Sequence, residues 1–247
     1  MIPSHRIVTL DSLPLQRAAG ELYRDVFGYE PTAQALSPRL MMGLLENGGS
    51  VLGAIDDEDR LLGFCYGFVG IEDGRTHHYS QAAVVAAAAQ GLGLGRSLKF
   101  AQADVARRTG IDRMRWAYDP FNLRNAHFNL SVLGATGIRY LPDFYDEPGT
   151  DRVIAEWEFD RPSALPEGVL QAAIDAAREG DAPRGTVNGF TWLAAEITAE
   201  HSSHRYHRSH LAAELRATLA AGDRLLATER LADDSTAAVY VLGGIDR

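Results

Sequence analysis

The chain has 247 residues, of which 46% are hydrophobic, enough for one large domain or for one domain with a smaller lobe. A formal net charge of −9 opposes general attraction to nucleic acid or to anionic lipid, which leaves small molecules and proteins as the expected partners. Cys65 is the only cysteine, so no internal disulfide can form; "MIPSHRIVTL" lacks a charged-then-apolar leader and no run of about 18 apolar residues occurs, so the expected location is cytoplasmic, without secretion or membrane spanning.

In chain order, "HRIVTL" predicts a short strand, followed by a helix that starts around Asp11 to Pro14 and stops at Gly28. "SPRLMMGLLENGG" predicts a second helix, with Ser37 as N-cap, Pro38 in the first turn and glycines past the end. The period then changes: "SVLGAID" and "RLLGFCYGFVGI" flank the charged turn "DDED" as an antiparallel hairpin. "THHYSQAAVV" predicts a third strand, with His78, Ser80, Ala82 and Val84 on one face. A turn with Gly91, Gly93 and Gly95 opens a helix whose apolar stripe is Leu94, Leu98, Ala101 and Val105, ending at Gly110. "IDRMRWAYDP" reads as a strand, "NLRNAHFNLSVLGATG" as a helix stopped by Gly134 and Gly137, and "DRVIAEWEF" as another strand. The order predicts an α/β (α+β) fold, a mixed, partly antiparallel sheet flanked by helices. The proline-bearing "DRPSALPEG" separates a domain of residues 1–160 from a helix and strand extension of residues 161–247, whose late strands are "RLLATERL" and "TAAVYVLGG".

A strand that feeds a glycine turn and then a helix bares backbone N–H groups at a helix N-terminus, where the dipole also favours an anion. Missing side chains let a pyrophosphate approach the backbone, and glycine tolerates positive φ. Arg96, Lys99, Arg107 and Arg108 against Asp104 make this segment locally basic. A glycine corner without a ligand is the plain alternative. The dinucleotide fingerprint G-x-G-x-x-G fails because Arg96 occupies the third glycine position, and Walker A fails because Gly95 is followed by Arg96 and Ser97.

Gln90-Gly91-Leu92-Gly93-Leu94-Gly95 instead resembles the [Q/R]-x-x-G-x-[G/A] acyl-CoA pyrophosphate loop of the GNAT superfamily of N-acyltransferases. "WAYDPFNLRNAHFNLSVLGATGIRYLPDFY" resembles a bacterial GNAT subfamily, mostly predicted acetyltransferases, that includes amino-acid N-succinyltransferases. Its signature falls on Trp116, Asp119, Pro120, Asn125, Ala126, Phe128, Asn129, Leu133, Gly134 and Ala135. The resemblance covers roughly Val8 to Phe159. It departs at the loop entry, where "VVAAAAQG" has alanine in place of a common proline. It departs again at Leu130, which stands where many GNAT enzymes carry a tyrosine that serves as general acid.

The resemblance implies an acyl-CoA cofactor, acetyl-CoA or another acyl-CoA such as succinyl-CoA, no metal, and direct attack by the amine of a small molecule, an amino acid among the candidates. It implies that backbone N–H groups from Gln90 to Gly95 hold the pyrophosphate. The strand end Val84, Val85 and Ala86 would hold the thioester oxygen, with the pantetheine between two splayed strands. Arg96, Asn125 and Phe128 complete the expected cofactor contacts, although Asn125 has a capping role as its alternative.

For the base that the amine needs, His78 has a suitable ordinary pKa, with Tyr79, Ser80, Gln81 and Glu72 nearby in sequence. Asp119, at a strand's C-terminal end, is better placed, its alternative being a turn aspartate before Pro120. Tyr140 and Tyr145 are the nearest hydroxyls able to replace the missing acid, and Tyr145 is the candidate carried forward. Cys65, in an apolar strand, reads as a buried inert thiol. Histidines 201, 204, 207 and 210 drift around a helix and no acid or cysteine completes a zinc set. The segment reads first as a solvated basic helix start, with Arg205 and Arg208 as alternative contacts for a carboxylated acyl group or a partner subunit, and a homodimer is left open. A non-catalytic CoA-binding regulatory or interaction module stays as the alternative, encouraged by Leu130.

Overall fold

The computed structural model describes residues 5–28, 36–180, 182–196, 205–232 and 236–244. By internal contacts the chain forms two compact units, residues 1–116 and 117–247. The architecture is the expected α/β mixture with a partly antiparallel sheet flanked by helices. Among the described residues no helix is long and apolar enough to cross a membrane.

In the first unit, β1 (Arg6–Thr9), β2 (Ser50–Ile55), β3 (Leu61–Glu72) and β4 (Arg75–Val85) pair antiparallel in that order. Two helices cover one face: α1 (Leu13–Phe27), closed by Gly28 in the left-handed region, and α2 (Pro38–Glu46). Leu10, Ala19, Met41, Val51, Phe64 and Tyr66 form the core there. The opposite face is covered by α3 (Leu94–Arg108), which buries Leu94 and Leu98 against Leu52, Ala54 and Cys65. β2 is buried along its whole length, as a strand covered on both faces is, whereas β3 is buried from Gly63 to Gly67 and more open beyond.

One expectation about β4 is corrected. Ser80 pairs with Gly67 and Ala82 with Tyr66, so Gln81 is an extra residue, a β-bulge. A one-residue slip exchanges the faces of a strand. His78 and Ser80 therefore face α3, through bonds to residues that include Lys99, whereas Ala82 and Val84 belong to the core under α1. The four residues do not share a face.

The strand β5 (Arg113–Tyr118) runs into the second unit, which holds β6 (Thr136–Leu141) and β7 (Arg152–Glu158) as an antiparallel pair. The expected boundary after residue 160 falls in this unit, in the turn that follows β7. Beyond it come α5 (Val169–Glu179), the hairpin β8 (Arg184–Val187) and β9 (Phe190–Glu196), α6 (Arg205–Ala220), β10 (Arg224–Arg230) and β11 (Ala237–Gly243). Within the unit the strand order is β7-β6-β10-β11-β9-β8. Val169, Ala173 and Ile174 of α5 pack with Phe190, Trp192, Leu226, Val239 and Val241.

The predicted helix over "NLRNAHFNLSVLGATG" is shorter and less regular. Its α part, α4, covers Leu123–His127, and a π-helical turn follows at Phe128–Val132, where the Leu133 N–H reaches the Phe128 carbonyl at 3.0 Å. Gly137 is not a helix stop. It lies within β6, where a Cβ would meet Val153 Cγ1 at 2.8 Å and Leu225 Cβ at 2.9 Å, so glycine there serves close packing of neighbouring strands.

The start of α4 is fixed by a buried tyrosine. Tyr240 on β11, with no exposed surface, donates its hydroxyl to the Pro120 carbonyl at 2.8 Å. Tyr240→Phe leaves that carbonyl without this donor, so a loss of about 1 kcal/mol is expected. A urea titration read by tyrosine-independent far-UV ellipticity checks it, and an unchanged midpoint would show the bond to be idle.

Candidate active site

The strand β4 leads through a 3-10 turn, Ala87–Ala89, into the glycine corner. Gly91 and Gly93 have φ of +82° and +80°, angles that residues with a Cβ rarely adopt. At neither would a Cβ meet another atom within 4 Å. Glycine is thus required here by backbone angle and not by packing, and open space lies where the side chains would be. The Ser97 N–H is the first to bond inside α3, to the Gly93 carbonyl at 3.1 Å. The N–H groups of Leu94, Gly95 and Arg96 precede that bond, and Gly93, as N-cap, has no side chain to take them. Gln90 ties the corner to the strand end, its Nε2 donating to the Val85 carbonyl at 3.4 Å. Leu92 packs beneath with Leu94, and exposed Arg96 lies over the Phe100 ring at 5.3 Å.

The edge of β4 supplies a second feature. The parallel ladder to β5 has two residue pairs, His78 with Met114 and Tyr79 with Arg115, and β4 continues past it to Val85. On the other edge β3 pairs as far as Val85 with Gly63. The Ala86 N–H is itself taken, donating to the Leu62 carbonyl at 2.9 Å. Alternate residues of an antiparallel strand send their polar groups to opposite edges. With Ala86 bonded toward β3 and Val84 in phase with it, Val85 directs its N–H away from β3, as its carbonyl's bond to Gln90 also indicates. Of the three strand-end residues expected to offer N–H groups, Val85 has the one directed to the open edge.

Beneath this edge, on the α3 side of β4, lies a polar cluster that the sequence reading did not anticipate. Lys99 is 4% exposed, donates to Ser80 Oγ at 2.9 Å and sits 3.7 Å from the centroid of the Trp116 ring. Burial pushes its pKa down to about 7. His78 has no exposed surface, and its Nε2 meets Ser50 Oγ at 2.8 Å, which also accepts from Gln102 Nε2 at 2.8 Å. Burial, then the charge of Lys99, push His78 down to about 4. An enclosed imidazole of that kind has no surface for an incoming amine. Glu72 is ion-paired with Arg115. The local basicity read around the loop is also reduced, since Lys99 points inward and Arg107 pairs with Asp104 at 3.3 Å. Cys65 is buried and pushed up to about 12, an inert thiol as expected.

The remaining candidates lie in the second unit. Asp119 Oδ1 accepts from the Phe121 N–H at 2.8 Å, closing the turn before α4. Asn122, not Asn125, caps α4, its Oδ1 accepting from the Asn125 N–H at 3.1 Å. The Asn125 side chain is exposed and accepts from Asn129 Nδ2 at 3.3 Å, and Phe128, half-buried, opens the π turn. Leu130 is buried in the core. Tyr140 is buried, whereas Tyr145 is 54% exposed on the β6–β7 loop, beside Arg152. The histidines at 201 and 204 lie outside the described residues, as do the side chains at 205–208; His210 is exposed.

The two buried bases give a stability signature. Both His78 and Lys99 bind protons less well folded than unfolded, so stability rises with pH wherever only the unfolded chain is protonated. For His78 that window is about 4 to 6.5, and for Lys99 about 7 to 10.5. The melting temperature is therefore expected to climb between pH 7 and pH 9 or so, and Lys99→Met to flatten that climb. Calorimetry in matched buffers checks it; an equal slope in the variant would refute a buried, shifted lysine.

Residues 12–134 match the acetyltransferase (GNAT) family by its sequence profile. No curated protein matches the chain in sequence. Among solved structures, the yncA protein of Salmonella typhimurium, determined with its cofactor acetyl-CoA, matches at TM-score 0.52 and 20% identity, covering 67% of this chain and 99% of that one. A protein of Acinetobacter baylyi ADP1 assigned as an acetyltransferase matches at TM-score 0.50 and 19% identity, over 67% of this chain and 97% of that one. A chain of the NatC complex bound to a Gag peptide and CoA matches at 0.52 and 12%, over 64% and 99%. At these identities the structures establish the fold alone. The uncapped glycine corner behind a strand with an open edge is thus set in the GNAT fold, and over residues 12–134 the chain belongs to the acetyltransferase (GNAT) family.

Proposed function

We propose that this chain is an acyl-CoA-dependent N-acyltransferase that transfers an acetyl or succinyl group to the amine of a small molecule by direct attack. The observation that carries the reading is the corner itself: two glycines at positive φ, vacant space at both Cβ positions, and three helix-start N–H groups without a side-chain cap. The residues fit a pyrophosphate, with Leu94, Gly95 and Arg96 donating from the backbone and Gly91 and Gly93 leaving room. The thioester of acyl-CoA supplies the activated acyl group. The Val85 N–H is our candidate donor to the carbonyl oxygen as negative charge develops there. We assign proton removal from the amine to Asp119, whose Oδ1 takes the Phe121 N–H so that Oδ2 is the candidate base, and proton return to the thiolate to Tyr145. His78 is left out of this assignment because it is enclosed.

Gly93→Val fills the corner and strains a backbone at φ +80°, so an affinity loss for CoA of about tenfold or more is expected by calorimetric titration, with far-UV ellipticity retained. Wild-type affinity in a folded variant would overturn the reading. Asp119→Asn is expected to lower kcat by about 10² or more in a thiol-release assay over amino acids of both chiralities, with CoA affinity kept. The buried Leu130 favours a second reading, a CoA-binding module without turnover, which binding without thiol release across that panel would support.

A further inference from the structure

A groove of about 680 Å³ runs between α1 and the start of α2, on the outer surface of the first unit, and its charge is at odds with the rest of the molecule. Three arginines line it, Arg17 and Arg24 from α1 and Arg39 from α2, with Glu21 as the one acid among the lining side chains. The chain as a whole carries −9, so a local excess of two positive charges is against the trend. Among the described residues none of these three guanidiniums makes a hydrogen bond or ion pair, while most arginines elsewhere on the surface do: Arg6 with Asp59, Arg60 with Asp56, Arg161 with Glu158, Arg184 with Glu214.

The local backbone makes the same point independently. Arg17 and Arg24 are seven residues apart, two helical turns, and so point from one face of α1. Gly20 lies between them with no side chain to separate them, and the Arg24 guanidinium folds back over it, Nη1 lying 3.9 Å from where a Cβ would be. Across the groove α2 begins Pro38-Arg39, with no acid in its first turn and no side-chain bond from its N-cap Ser37. A cation at that position stands against the positive end of the helix dipole, an unfavourable placement that an anion in the groove would relieve.

We propose that this groove is a binding site for a small molecule bearing a phosphate or several carboxylates, held by Arg17, Arg24 and Arg39 and separate from the glycine corner. Forked guanidiniums bind such oxyanions in bidentate fashion, which gives selectivity over simple halides. The proposal stands whether or not the corner binds CoA.

Thermal stabilisation by pyrophosphate and by citrate is measured on the whole chain against sodium chloride at equal ionic strength, in wild type, in Gly93→Val, and in Arg24→Gln combined with Arg39→Gln. Saturable stabilisation in wild type and Gly93→Val, weakened about tenfold or more in the double variant, is the expected result. A preference for pyrophosphate assigns a phosphate-bearing ligand, and one for citrate a polycarboxylate. Stabilisation no greater than with chloride overturns the proposal, as does stabilisation lost in Gly93→Val and kept in the double variant, which would place the anion in the glycine corner alone. Both exchanged arginines line an open groove, and unchanged urea unfolding of the double variant confirms that folding is not the cause.

Discussion

Every backbone N–H and C=O that a sheet removes from water needs a partner, and a strand has two edges on which to find one. Along β4 one edge is consumed by β3 to the last residue, while the other engages β5 at only two positions. What is chemically usable in the first unit follows from that imbalance. The strand keeps an open edge near Val85 and leads, through the Ala87–Ala89 turn, into a corner whose N-cap glycine has no side chain to cap the helix. Had the ladder continued, its carbonyls would have taken the edge N–H that Val85 now directs away from β3. The bulge at Gln81 belongs to this arrangement, because it turns Ser80 and His78 toward α3 while sending Val84 into the core on the other face.

The cluster under that edge is the counterpart of the open one. Lys99, Ser80, His78, Ser50 and Gln102 are all buried between α3 and the sheet, where an apolar stripe alone would have been expected. A lysine in such a place is costly as a cation, and its neighbours answer the cost in two ways: the Trp116 face and the Ser80 oxygen favour the charge, while burial favours the free amine. The two tendencies leave the group titrating near neutral pH, while the imidazole of His78 is kept uncharged first by its own burial and then by the Lys99 charge.

How much of this could be read from the sequence depended on whether the signal was local. The caps of α1 and α2, the two central hairpin strands and the glycine corner are written in adjacent residues, and each lies where those residues placed it. Asp73-Gly74 and Asn188-Gly189, both at positive φ, are equally local hairpin turns; the second marks β8 and β9, which the sequence reading passed over. What was not legible rests on contacts distant along the chain. Gly137 looks like a helix stop until Val153 and Leu225 are seen against it. Lys99 looks like a solvated cation until Ser80 and Trp116 are seen to enclose it. The bulge leaves no mark on the alternation of side chains in "HYSQAAV", and therefore the face of His78 could not be read.

Leu130, where the resemblance places an acid, bears on the chemistry of the proposed reaction. The π turn at Phe128–Val132 breaks the regular helix expected across this segment, the Leu133 N–H reaching the Phe128 carbonyl. Leu130 is in the core, and the Ser131 hydroxyl is committed to the Thr228 carbonyl at 3.0 Å. The proposed transfer would need an acid less than it needs a base. A thiol of ordinary pKa, about 8.5, leaves readily as thiolate near neutral pH, whereas a side-chain amine at about 10.4 is almost wholly protonated there. An α-amino group, at about 7.7 to 8.0, is part-way to the reactive form unaided. On the proposed reading, in which backbone amides hold the acyl donor and Asp119 alone is offered as base, α-amines would be better matched than lysine-like ones.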